Sequence, residues 1–110
     1  MKSVCLKSPG DISLMDVPAP NRGKDEVLIR VRSAGICGSD IGAYRGVNPL
    51  VSYPRIIGHE VAGEVLEVPE GETELMPGDR VIIEPYVYCG TCYPCSIGHT
   101  NCCENLTVRG

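Results

Sequence analysis

The sequence predicts a mainly β, barrel-like domain, and three observations carry that expectation. Apolar residues alternate with polar ones in several short runs, Gly and Pro interrupt the chain at frequent intervals, and helical periodicity is almost absent. The chain has 110 residues, enough for a single modest core. It contains no Trp, no Phe and 5 Tyr, so that core must be aliphatic, and its Val and Ile favour strands.

The elements follow in order. Ser3 to Lys7 reads as a strand, stopped by the turn pair Pro9-Gly10, and Asp11 to Val17 reads as its antiparallel partner. Pro18-Ala19-Pro20 holds the chain extended before a polar loop from Asn21 to Asp25. Glu26 to Ser33 alternates, with Val27, Ile29 and Val31 on one face and Leu28, Arg30 and Arg32 on the other. Gly35 to Gly46 is glycine-rich and predicts one helical turn over Ser39 to Tyr44, with Ser39 as its N-cap. Asn48-Pro49 and Tyr53-Pro54 mark turns. Val61 to Val68 is a further strand in which Gly63 signals a bulge or a close backbone approach. Pro69 to Glu74 is an acidic loop. A turn at Met76-Pro77-Gly78-Asp79 launches Arg80 to Tyr86, whose Val81-Ile82-Ile83 run predicts burial, and Leu106 to Gly110 is a tail.

Charge and composition exclude several classes. The formal net charge is -4 with no basic cluster, which argues against nucleic acid as a partner. No apolar run approaches membrane-spanning length, and the start MKSVCLKSPG is too short in its apolar part for a signal peptide. Seven cysteines with no sign of secretion point to a reducing compartment, the cytoplasm.

Cys89, Cys92, Cys95 and Cys103 have the spacing C-x2-C-x2-C-x7-C, with Gly90 and Gly98 allowing tight turns between them. Four converging thiolates suit a closed, tetrahedral structural zinc site. An iron–sulfur site shares the opening, but its bacterial form continues x3-C-P, and Glu104 follows the fourth cysteine here. A disulfide framework would need an oxidising compartment.

A second constellation stands apart. Cys37 in Gly35-Ile36-Cys37-Gly38-Ser39-Asp40 and His59 in Gly58-His59-Glu60 are two good zinc ligands. A catalytic zinc takes three protein ligands and keeps one open position, and Glu60 or a residue beyond this chain could supply the third. Asp40 could accept the second ring N–H of His59 and fix its tautomer. Each residue also has a plain structural explanation: a buried thiol, a structural histidine, a turn-capping aspartate.

GICGSD, YPRIIGHEVAGEV, PGDRV and CGTCYPCSIGHTNCC occur in the order found in zinc-dependent medium-chain alcohol dehydrogenases. The segment EPYVYCGTCYPCSIGHTNCCENL most resembles the polyol and sugar-acid branch, which includes sorbitol, threonine and galactonate dehydrogenases. The resemblance implies that residues 1–110 are a GroES-like catalytic domain, a partly open β-barrel with a zinc-binding lobe loop and one or two short helical turns. It implies a catalytic zinc on Cys37, His59 and Glu60, with Glu60 either a ligand or its close neighbour. It implies a structural zinc on Cys89, Cys92, Cys95 and Cys103, which leaves Cys5 and Cys102 as non-ligands. Ser39 would take the proton of the substrate hydroxyl, Asp40 would orient His59, and Tyr44 would lie near the substrate mouth. Two departures stand out: Gly42 occupies the place of a proton-relaying histidine, and Pro69 replaces a small residue.

The implied activity is oxidation of a secondary alcohol of a polyol or sugar acid by zinc-alkoxide formation and hydride transfer to NAD(P). The implied partner is a small-molecule polyol or sugar acid, and the parent enzyme would be a homo-oligomer. Neither strand–helix alternation nor G-x-G-x-x-G occurs, so NAD(P) would be bound mainly by a Rossmann domain absent from this chain. The chain then reads as a fragment, inactive alone, with exposed apolar surface. The competing expectation is a stand-alone zinc-stabilised β-barrel, a binding or co-chaperonin-like module without enzymatic activity.

Overall fold

The computed structural model describes residues 1–109. Strands β1 (Lys2–Ser8) and β2 (Asp11–Asp16) form an antiparallel hairpin whose register runs from Lys2↔Asp16 to Ser8↔Asp11. Its turn depends on Gly10, at φ 78°, a conformation that costs a residue with a Cβ. The free edge of β1 pairs with β4 (Arg55–Ile56), giving a three-stranded sheet of order β2-β1-β4. As its central strand, β1 supplies Cys5 and fully buried Leu6.

A second antiparallel sheet has the order β3-β5-β6, from β3 (Leu28–Ala34), β5 (Val61–Glu67) and β6 (Arg80–Ile82). Val65 of β5 is fully buried. Gly63 sits opposite Val31, beside a register shift between Val31 and Ser33. A Cβ there would strike Ile29 and come within 2.7 Å of the Arg30 carbonyl oxygen. The expected close approach at Gly63 is therefore present.

Helix α1 (Gly38–Tyr44) follows β3, and the tip of the first hairpin rests on its end. The Gly10 N–H donates to the Tyr44 carbonyl at 2.8 Å, and the Tyr53 hydroxyl donates to the Ala43 carbonyl at 2.6 Å. The lobe contains α2 (Tyr93–Ser96) and a 3₁₀ turn (Thr100–Cys102), and is flanked by a ribbon of β7 (Tyr86–Val87) and β8 (Thr107–Val108).

Several expectations are corrected. The helix cap is Cys37, not Ser39. The run expected from Arg80 to Tyr86 divides into β6 and β7, and Ile82 is 85% exposed because β6 is an edge strand with β5 on one side only. Val31 is likewise 56% exposed. The expected tail holds β8, β4 follows the Tyr53-Pro54 turn as a short strand, and the cysteine loop contains helical turns. The mainly β architecture is as expected, and among the described residues the two three-stranded sheets do not close into a barrel, in keeping with the partly open form.

The core is sparse. Its buried apolar residues are Cys5, Leu6, Ala43, Val65 and Cys103, while Ile36 is 80% and Leu50 89% exposed. The accessible surface is 8068 Å², whereas a folded monomer of 11.8 kDa is expected to expose roughly 5,900 Å². The radius of gyration is 15.9 Å, against about 13 Å for a compact chain of this length. The excess surface matches what a substantial interface buries.

Gly63→Ala should destabilise the fold by about 1–3 kcal/mol through overpacking against β3. Urea unfolding followed by circular dichroism should show a lower midpoint at unchanged slope.

Candidate metal centres

The first centre is built at the junction of β3 and α1. The Cys37 N–H donates to the Asp40 carboxylate at 2.9 Å, and the Cys37 sulfur accepts from the Ser39 N–H at 3.3 Å. This reciprocal cap starts the helix and satisfies backbone donors that would otherwise be left open. It also aims the Cys37 sulfur at His59, whose Nε2 lies 3.1 Å away. Two ligands of one tetrahedral zinc, at ordinary Zn–S and Zn–N lengths, stand roughly 3.5 Å apart. The Ser39 hydroxyl is 2.8 Å from the Cys37 sulfur and 3.5 Å from His59 Nε2.

Behind His59, the buried Asp40 places Oδ1 3.6 Å from Nδ1, which leaves Nε2 as the ring atom facing Cys37. Cys37, Asp40 and His59 present donor atoms that all lie within 4.8 Å of one another. Glu60 is not brought into that group. Its carboxylate lies against Gly35, where an added Cβ would meet it, and its carbonyl accepts the Gly35 N–H at 2.7 Å. Ser39, Asp40 and His59 line a cleft of about 260 Å³ with Asn48, Arg55 and Tyr86 among its walls. Tyr44 lies instead in a neighbouring apolar groove with Ile36, Ile41 and Ile57. Gly42 faces Asn48, whose Cβ is 3.7 Å from where a side chain would begin.

The second centre gathers Cys89, Cys92, Cys95 and Cys103, again within 4.8 Å of one another. The sulfurs of Cys92 and Cys103 are 3.9 Å apart, close to the roughly 3.8 Å expected of two thiolates on one tetrahedral zinc. Backbone N–H groups point at the sulfurs: Cys89 and Asn105 donate to Cys103 at 3.3 Å each, and Cys92 donates to Cys89 at 3.4 Å. Gly90 and Gly98, at φ 74° and 84°, allow the turns between ligands. N–H donation from Thr91 and then Cys92 lowers the Cys89 thiol to about 5, while burial and then contact with the Cys92 sulfur push Cys95 up to about 12. Four sulfurs crowded this closely could all bind as thiolates only around a shared cation, so this donor set fits zinc. Cys5 and Cys102 fall outside both groups, and all seven cysteines are free of disulfides.

The sequence reasoning missed the cap made by Cys37 itself. Its signal was present in Asp40, three residues on, in the N3 position of a capping box.

The chain belongs to the alcohol dehydrogenase GroES-like domain family, whose sequence signature matches residues 23–110. It is 58% identical over 111 residues to an uncharacterised zinc-type alcohol dehydrogenase-like protein of Haemophilus influenzae, covering 100% of this chain and 32% of that protein. It is 44% identical over 95 residues to the L-galactonate-5-dehydrogenase of Escherichia coli, covering 86% of this chain and 27% of the relative. In three dimensions it is similar to the alcohol dehydrogenase RspB of Escherichia coli CFT073, solved with NADH. That match has a TM-score of 0.88 at 45% identity and covers 100% of this chain and 32% of the other. The chain thus spans about a third of the length of the curated relatives it matches. Among the described residues no helix is long and apolar enough to cross a membrane.

Elemental analysis of protein purified without chelators should show about one zinc per chain fewer in Cys103→Ser than in the parent. Cys102→Ser, one position away but outside the cluster, should leave the zinc content unchanged.

Proposed function

We propose that these residues form the catalytic domain of a longer zinc-dependent dehydrogenase that oxidises a secondary alcohol of a polyol or sugar acid with NAD(P). The observation that carries this reading is the convergence of Cys37, Ser39 and His59 at one cleft, with Asp40 behind the imidazole. The likeness to L-galactonate-5-dehydrogenase supports the sugar-acid class, and the NADH-bound relative supports a nicotinamide cofactor. The excess accessible surface supports a longer molecule, since this much exposed apolar area favours cover by further protein. Seven free thiols support a reducing, cytoplasmic setting.

In the proposed roles, Cys37 and His59 would hold the catalytic zinc, with Glu60 as a third ligand or a close neighbour of the set. When bound, the zinc supplies Lewis acidity that polarises an alcohol oxygen and favours loss of its proton. Ser39 receives the substrate hydroxyl as a hydrogen-bond partner and passes its proton outward. Asp40, with Oδ1 3.6 Å from Nδ1, would orient the His59 ring by accepting from Nδ1–H, leaving Nε2 to face the metal. With Gly42 where a relaying histidine would stand, and His59 taken up by the metal, the proton would leave Ser39 through water or the cofactor ribose. The lobe cysteines hold the second, structural zinc.

The purified 110-residue chain should show no NAD(P)-linked polyol oxidation, whereas the longer polypeptide encoded with it should be active. In that polypeptide Ser39→Ala should lower kcat/KM by about 10²–10⁴ without releasing zinc, the range for loss of a positioned proton-transfer group. Activity unaffected by Ser39→Ala, with the zinc retained, would remove Ser39 from the mechanism.

A further inference from the structure

The cleft beside the first centre carries a cation that the roles above do not use. Arg55 lines the cleft together with Ser39, Asp40 and His59. Its placement follows from the register of the first sheet. In an antiparallel pair, directly opposed residues project to the same face, and Arg55 is paired with Leu6, which is fully buried. Arg55 thus projects to the Leu6 side of the sheet and is half-buried where it lines the cleft, while Ile56 pairs with buried Cys5 on the other side and is 52% exposed. An arginine at a half-buried position must offset the cost of desolvating its charge. Arg55 also has an interaction within the fold; a guanidinium carries five N–H donors, so an anion in the cleft would share it with that interaction or displace it.

The other charged groups of the cleft are committed. The Asp40 carboxylate accepts from the Cys37 N–H and faces His59 Nδ1. His59 directs Nε2 at the Cys37 sulfur. The remaining walls are apolar or neutral, among them Leu50, Val51, Ile57 and Asn48. A ligand entering this cleft thus meets a hydroxyl-handling group at Ser39 and one arginine whose planar fork matches a carboxylate or phosphate.

We infer that Arg55 is a specificity-determining residue which selects an anionic polyol, one bearing a carboxylate or phosphate, over the neutral polyol of the same skeleton. The inference rests on the dehydrogenase reading of the cleft and narrows its substrate class. It requires no new role for the metal ligands. A carboxylate from a sugar acid and the phosphate of a polyol phosphate present the same oxygen pair to the guanidinium, so both belong to the selected class.

The test measures binding rather than turnover. The zinc-loaded chain is titrated by calorimetry with glucitol, gluconate and glucitol 6-phosphate, and the Arg55 Nε–H resonance is followed by NMR. At least one anion should bind about tenfold more tightly than glucitol, the gain of one charge-assisted contact, and should shift the Arg55 signal. Whichever anion leads separates a carboxylate source from a phosphate source. Arg55→Gln should erase the preference and leave glucitol binding unchanged, whereas Arg55→Lys should retain part of it, which separates lost charge from lost folding. Equal affinity for glucitol and both anions in the parent would overturn the inference while leaving the dehydrogenase reading intact. A preference that survives Arg55→Gln would assign selection to another group and overturn it as well. Failure of all three to bind would overturn the inference, while the dehydrogenase reading would still stand or fall on the activity of the longer polypeptide.

Discussion

The first centre depends on a single buried carboxylate. Asp40 is 7% exposed, and a carboxylate so placed is costly unless its oxygens are occupied. One oxygen takes the Cys37 N–H, which starts helix α1, and the other faces His59. The same residue thus fixes where the helix begins, where the Cys37 sulfur points and which ring nitrogen of His59 faces it. These are three consequences of one charge. Helix α1 is only seven residues long and could not persist on propensity, so its geometry comes from this cap and from tertiary ties at its far end. The contacts made there by Gly10 and Tyr53 hold the helix against the first hairpin and the loop before β4.

The lobe solves a different problem. It has almost no apolar core, with Cys103 as its one buried apolar residue. Its order comes from backbone N–H groups turned toward sulfur and from glycines at positive φ. Such an arrangement gathers negative charge without supplying any positive side chain to balance it. An ion at its centre would act as the core that the lobe lacks, in the way metals stabilise small domains with little hydrophobic interior.

Much of this was legible in the chain because each signal was local. The hairpin from β1 to β2 follows from Pro9-Gly10 between two alternating runs, and the lobe follows from cysteine spacing. The close approach at Gly63 was likewise written in a glycine within a strand. What escaped reading was non-local. β4 is two residues long and exists only because β1 offers an edge, and β7 and β8 pair across the whole lobe. No periodicity reveals a two-residue strand. The burial expected for Ile82 failed because an apolar run cannot say how many neighbours its strand has. Ser39 suits a cap by residue preference, but Cys37 holds that position because Asp40, three residues on, completes the reciprocal bond.

The location of the first centre explains why the fold leaves so much surface uncovered. Cys37 lies after β3 of the second sheet, whereas His59 lies between β4 of the first sheet and β5 of the second. The donors thus come from the segment after the first strand of the second sheet and from the link between the sheets, and they line one open cleft. An open cleft admits a substrate, but hydride transfer requires that water be kept from the reacting atoms. The described residues do not meet that requirement: Ser39 is exposed, and Ile36 and Leu50 nearby in sequence stand in solvent. On the proposed reading, Cys37, His59 and Ser39 already stand together, and the covering of the site would fall to another surface. A stand-alone binding module has no reason to combine this arrangement with such an excess of exposed apolar area, whereas the catalytic domain proposed above would have reason for both.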